Sequence, residues 1–235
     1  MRTFILTFTL ALAGVGGTAL TEPRYVDTLL VLASDVSQSV DKQKFILQRE
    51  GYATAVSNPE FVRVATAGPH KRIAIAYVEW ASANQQELVV PWTIIEGMTS
   101  AEKLARELLE RPRSFTGHTS ISGALRFSLE ILENAPYSSS RQIIDISGDG
   151  TNNTGPNLKV VRNDVLARGI IVNALVILSQ EPSPWPTHTN PPGGLPQYFR
   201  NHVAGGPGSF VVTAQGFESF GIAIRQKLIA EIAMR

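Results

Sequence analysis

"TLLVLASDVSQSVD", residues 28–41, decides how this chain is read. Residues 28–34 are a near-continuous apolar run. A strand of that kind is buried on both faces, as in the centre of a parallel sheet. It runs directly into Asp35, Ser37 and Ser39, one carboxylate and two hydroxyls at alternate positions. Two readings follow. Ser37 or Ser39 caps a helix beginning near Val40, or the three oxygens are half of a metal site whose other half lies far downstream.

Working outward, "DKQKFILQREGYATAVS" (41–57) reads as a helix with Phe45, Ile46, Arg49, Tyr52 and Ala53 on one face, ended by Asn58-Pro59. "RIAIAYVEW" (72–80) alternates like a strand, and "ELVVPW" (87–92) reads as its neighbour at a sheet edge, because Pro91 cannot donate to a ladder. Helices are expected at 100–110, 120–133, 157–168 and 216–233, and strands at 141–147, 170–178 and 209–213. Residues 180–208 carry most of the late Pro and Gly and read as a loop. Strand and helix alternate. That order predicts an α/β fold: a doubly wound, mostly parallel central sheet with one antiparallel edge strand and helices on both faces. Ligands of such sheets sit outside the carboxyl ends of the strands, where strand order reverses.

Composition narrows the function. The 235 residues are 43% hydrophobic and 17% charged, which suits one globular domain over 26–235. Lys and Arg number 21 against 20 Asp and Glu, so there is no basic field for nucleic acid. Residues 1–19 resemble a signal peptide: Met1-Arg2, the apolar run 3–16, then small residues. The run is shorter than the roughly 20 residues that span a bilayer. Cleavage after Ala19 removes one Arg and no acid, leaves a net charge of zero (20 minus 20), and implies a secreted or periplasmic protein with no membrane span. With no Cys, no disulfide supports the fold.

Two further oxygen-bearing segments lie at the predicted carboxyl edge. Thr119 stands in "TGHTS", ahead of helix 120–133, and Asp149 in "SGDG", after strand 141–147. Taken singly, each reads more simply as an N-cap or a turn. Taken jointly, two carboxylates and three hydroxyls form a hard donor set for Mg²⁺, with Mn²⁺ or Ca²⁺ as alternatives, and not for zinc.

"DVSQS", "GHTSISGAL" and "IIDISGDGTNN" together resemble the von Willebrand factor type A (VWA) domain, whose Asp-x-Ser-x-Ser motif builds a metal-ion-dependent adhesion site (MIDAS) with a distal Thr and Asp. The resemblance covers roughly residues 26–233. "LQREGYA", "YVEWA", "VVPWT", "RSFTGHTSISGAL", "DISGDGTNN" and "GGPGSFV" are also similar to a bacterial secreted subfamily of uncharacterised function. The resemblance implies that Ser37 and Ser39 contact the cation directly, and Thr119 directly or through water. It implies that Asp35 and Asp149 hold coordinated waters, and that an Asp or Glu of a protein partner completes the shell. It also implies coupling between the site and the final helix. A non-catalytic, metal-dependent protein-binding domain is the leading expectation. The alternatives are an assembly component with a stabilising metal site and a metal-dependent hydrolase using Asp145 or His118 as base. Other residues have plainer readings: Trp80 and Trp92 as core, Asn152 and Asn153 as turn formers, Asp145 as a buried carboxylate in need of partners. Trp185, Tyr198 and Phe199 in the Pro-rich loop read either as packed over the sheet edge or as exposed for recognition.

Overall fold

The computed structural model describes residues 24–178 and 186–234. The signal-peptide reading of residues 1–19, and Trp185, lie outside the described residues. The elements, in chain order, are β1 (Arg24–Tyr25), β2 (Leu29–Asp35), α1 (Lys42–Val56), α2 (Pro59–Ala65), β3 (Ile73–Trp80), β4 (Gln86–Ile95), α3 (Met98–Glu110) and α4 (Ile121–Glu133). There follow β5 (Tyr137–Ser138), β6 (Gln142–Gly148), α5 (Leu158–Ala167), β7 (Ile171–Ile177), α6 (Pro186–Thr189), α7 (Leu195–His202), β8 (Val211–Ala214) and, after a 3₁₀ turn, α8 (Phe220–Ala233).

Six strands form one sheet in the order β4-β3-β2-β6-β7-β8. All neighbours are parallel except β3 with β4, which places the Pro91 strand at an antiparallel edge as expected. β2 sits in the middle, and its seven residues are all buried. Alternation along the strands divides the core in two. Leu30, Leu32, Ile73, Ile75 and Tyr77 face α1, α2, α3 and α8. Leu29, Val31, Ala33, Ala74, Ala76, Val78 and Trp80 face α4, α5 and α7. Both faces of the central strands are therefore covered, which is why they read as continuous apolar runs.

The structure corrects several expectations. Helix α1 is capped by Asp41, whose side chain accepts from Lys44 N at 2.9 Å, and not by Ser37 or Ser39; those hydroxyls are left for other work. Asn58 ends one helix but also caps another, α2, accepting from Glu60 N at 2.9 Å, with Pro59 at the first helical position where its missing N–H costs nothing. The stretch read as a loop over 180–208 contains α6 and α7, and Phe199 of α7 is fully buried while Tyr198 packs against the core edge. Trp80 is core as expected, and Trp92 is half-buried with its Nε1 donating to Ile131 O at 3.3 Å.

The chain runs from β2 outward to β3 and β4, then returns to the other side of β2 as β6, β7 and β8. Strand order thus reverses between β2 and β6. The crevice beyond their carboxyl ends is where such a sheet binds ligands, and Asp35 and Asp149 stand at those two ends.

Candidate metal centre

Each oxygen donor is positioned by its own local device. Asp35 is the last residue of β2, fully buried; its Oδ1 accepts from Ser37 N at 2.7 Å, which folds residues 35–37 into a tight turn. That turn brings the Ser37 and Ser39 hydroxyls to 3.2 Å from each other. The Ser39 hydroxyl donates to Asp149 Oδ1 at 2.7 Å, so the β2 and β6 segments meet directly. Arg113 clamps the turn from the side, Nη2 donating to Val36 O at 2.6 Å and Ser37 O at 3.1 Å. Gln38 N donates to Gly117 O at 2.8 Å, which ties the turn to the loop before α4.

Thr119 is placed by that loop and by Asn153. Asn153 Oδ1 accepts from Thr119 N at 3.0 Å, and Asn153 N donates to Thr119 O at 2.9 Å. Asn152 Oδ1 accepts from Ser122 N at 2.9 Å, next to the α4 N-terminus that Ser120 caps. These asparagines do more than form a turn: they lash the β6 loop to the α4 loop. Asp35, Ser37, Thr119 and Asp149 are buried and Ser39 is half-buried; a cleft of about 340 Å³ is lined by Ser37, Ser39, His118, Thr119, Asn153 and His188.

His188 is a residue that sequence reasoning missed. It lies in α6, and its ring reaches back over the β6 loop. Nε2 is 3.2 Å from Thr119 Oγ1, and Nδ1 is 2.9 Å from Thr151 Oγ1. A lone His in a Pro-rich loop, 39 positions beyond Asp149, gives no spacing signal. The other two candidates part ways. His118 borders the cleft and is exposed. Asp145 is fully buried within β6, 2.6 Å from Lys227 Nζ of α8, so it belongs to a core ion cluster and not to this site.

The electrostatics are those of a site short of positive charge. Burial pushes the Asp35 carboxyl up to about 8, and the neighbouring Asp149 charge adds to the rise. Asp149 is also raised by burial, against hydrogen bonding from Ser39 and the nearby charges of Lys44 and His188. Burial lowers His188, and Asp149 opposes that. Asp35 Oδ2 is buried and accepts no hydrogen bond, which is costly for a carboxylate unless a cation or its waters satisfy it. Among the described residues no three His, Asp or Glu side chains converge. The nearest donor pairs, 2.7–3.2 Å apart, have the roughly 3 Å spacing of adjacent ligands about 2.1 Å from one small ion. This set of hydroxyl and carboxylate oxygens fits a hard dication.

A family model described as "Protein of unknown function (DUF1194)" matches residues 25–235. The chain belongs to that family. Its fold is that of VWA-domain proteins. Solved structures of similar fold include proximal thread matrix protein 1 from the mussel byssus, at 15% identity and TM-score 0.63, over 90% of this chain and 48% of that one. A second structure of the same protein, with a zinc-occupied MIDAS motif, matches at 14% identity and TM-score 0.63, over 90% and 49%. The pilus adhesin SpaC from Lactobacillus rhamnosus GG matches at 12% identity and TM-score 0.63, over 90% and 31%. The chain thus spans half or less of the length of these neighbours. A comparison with curated proteins found no match.

Proposed function

We propose that this DUF1194 chain is a secreted, non-catalytic protein-binding domain of adhesion type. In this reading Asp35, Ser37, Ser39, Thr119 and Asp149 hold a divalent cation that accepts an Asp or Glu carboxylate from a protein partner. The observation that supports this reading is that Ser37, Ser39 and Thr119 line one cleft at the sheet's reversal point, with Asp149 accepting from the Ser39 hydroxyl and Asp35 holding the turn that carries Ser37. A bound dication supplies an electrophilic position for an anionic oxygen. The protein's own part is to keep the direct donors neutral. Ser37, Ser39 and Thr119 bring no charge, so the attraction for an incoming carboxylate is little reduced. Asp35 and Asp149 orient waters from behind. From the oxygens alone, Mg²⁺ is the favoured ion. The fold neighbours support the reading: a byssus matrix protein whose MIDAS motif is zinc-occupied in one structure, and a pilus adhesin.

Of the two bases a hydrolase could use, Asp145 is committed to Lys227 in the core, which leaves only His118 beside the cleft. The test is calorimetry with Mg²⁺ and Mn²⁺ on the wild type, Asp35→Ala and Asp149→Ala, followed by capture of partners with and without chelator. Saturable binding at one site, lost in both folded variants, together with chelator-sensitive capture of an acidic partner, supports the proposal. Binding that stabilises the fold without any capture would favour a purely structural metal. Turnover of phosphoesters or carboxylic esters in the presence of Mn²⁺ would overturn the non-catalytic reading.

A further inference from the structure

We propose that His188 is a nitrogen ligand of the same cation, so that the site takes a first-row transition dication such as Zn²⁺ or Co²⁺ in preference to Mg²⁺. The proposal rests on the metal-site reading above and adds to it a donor from a fourth segment.

Four observations converge on it. First, Nε2 lies 3.2 Å from Thr119 Oγ1, the same separation as Ser37 Oγ from Ser39 Oγ, and both match neighbouring ligands of one small ion. Second, the other ring nitrogen is already held. Nδ1 is 2.9 Å from Thr151 Oγ1. With the proton on Nδ1 and donated to that hydroxyl, Nε2 keeps its lone pair facing the cleft. Metal-binding histidines are oriented by such a partner on the nitrogen away from the ion. Third, the main chain fixes the ring's base: Thr151 N donates to His188 O at 3.1 Å, so α6 is docked on the β6 loop through both backbone and side chain. Fourth, the ring sits where only a glycine leaves room. A Cβ on Gly150 would stand 2.2 Å from Nε2 and 2.6 Å from Cε1.

The chemical consequence follows from ligand preference. Oxygen-only sets suit Mg²⁺ and Ca²⁺, whereas imidazole suits Zn²⁺ and the later first-row ions, whose affinities also exceed that of Mn²⁺. One imidazole among hydroxyls therefore turns the selectivity. It also occupies one of the positions that would otherwise be open to water or a partner, leaving fewer for the incoming carboxylate.

The test is competitive binding of Zn²⁺, Co²⁺ and Mg²⁺ to the wild type, His188→Ala, Gly150→Ala and Asp35→Ala, with folding checked by circular dichroism. The visible absorption of bound Co²⁺ provides a second readout. The proposal expects the wild type to bind Zn²⁺ more tightly than Mg²⁺. It expects His188→Ala to lose at least tenfold in Zn²⁺ affinity and shift the Co²⁺ spectrum, with a smaller loss for Mg²⁺, so that the Zn²⁺-over-Mg²⁺ preference falls. Gly150→Ala retains the imidazole but blocks its approach, and should reproduce the Zn²⁺ loss. Asp35→Ala should lose all three ions. Unchanged Zn²⁺ affinity and an unchanged Co²⁺ spectrum in His188→Ala, with loss in Asp35→Ala, would overturn the His188 ligand and leave the metal site standing. Absence of binding of any ion to the wild type would overturn both.

Discussion

Replacing Asp35 by Asn should flatten the pH dependence of stability of the metal-free protein. Asn keeps an oxygen to accept from Ser37 N, so the turn survives, but it cannot titrate. In the folded wild type the Asp35 carboxyl is pushed up to about 8 by burial and by Asp149, against an ordinary value of 3.8. Between those values the folded state holds a proton that the unfolded chain has released, so stability falls as pH rises. The contribution is fully present below about pH 4 and is lost as pH climbs through about 8. From pH 5 to pH 7 the loss is two units at about 1.4 kcal/mol each, or about 3 kcal/mol. For a domain of this size that is roughly 6–12 °C in Tm. Asp145, pushed up to about 7 chiefly by burial, adds a slope of its own, so the comparison must be made between wild type and variant. The assay is urea denaturation in EDTA at pH 5 and pH 7. The wild type should lose about 3 kcal/mol more than Asp35→Asn over that interval. A saturating dication should reverse the wild-type trend by favouring the charged carboxylate. Equal slopes for the two proteins in EDTA would refute the placement of Asp35 as a buried, cation-seeking acid.

Three further outcomes follow from the packing. Arg49→Met leaves the fully buried Glu79 without its 2.7 Å partner and should cost about 3–5 kcal/mol in urea denaturation; a loss below about 1 kcal/mol would show the pair to be dispensable. Lys227→Met strands Asp145 and Glu231 in the core, where their separations from Nζ are 2.6 and 3.2 Å. It should destabilise by a similar amount and speed amide exchange in α8 above all other helices. Asn153→Ala frees Thr119 N from its 3.0 Å acceptor without replacing a proposed ligand. Cation affinity should fall about 10–100-fold while Tm moves little, and calorimetry beside a thermal melt separates the two effects.

The same ion cluster bears on the expected coupling between the site and the last helix. Lys227 and Glu231 pin α8 to Asp145 of β6 and Asn173 of β7. Asp149 lies one residue past the end of that same β6 strand. Any shift of the β6 loop on cation binding therefore pulls on a strand whose side chain is ion-paired to α8, and amide exchange in α8 with and without cation reads out that connection.

Alternation of apolar strands with helices was enough, read from the chain alone, to determine a doubly wound sheet with the Pro91 strand at its edge. Both depend on local periodicity and on the backbone chemistry of proline. Asp35, Ser37, Ser39, Thr119 and Asp149 were legible because each follows a recognisable strand or precedes a recognisable helix at the sheet's binding edge. Tertiary structure decided what local pattern does not encode. It made Asp41 the helix cap, which left the Ser39 hydroxyl to donate to Asp149 with the Ser37 hydroxyl beside it. It paired Asp145, four residues before Asp149, with Lys227 of α8 in the core. It folded α7 out of a Pro- and Gly-rich stretch by burying Leu195 and Phe199. It also carried His188 back over the β6 loop, a contact set by chain return across the sheet. Such contacts join residues tens of positions apart, and their free energy comes from burial and charge pairing that exist only once the strands have taken their order.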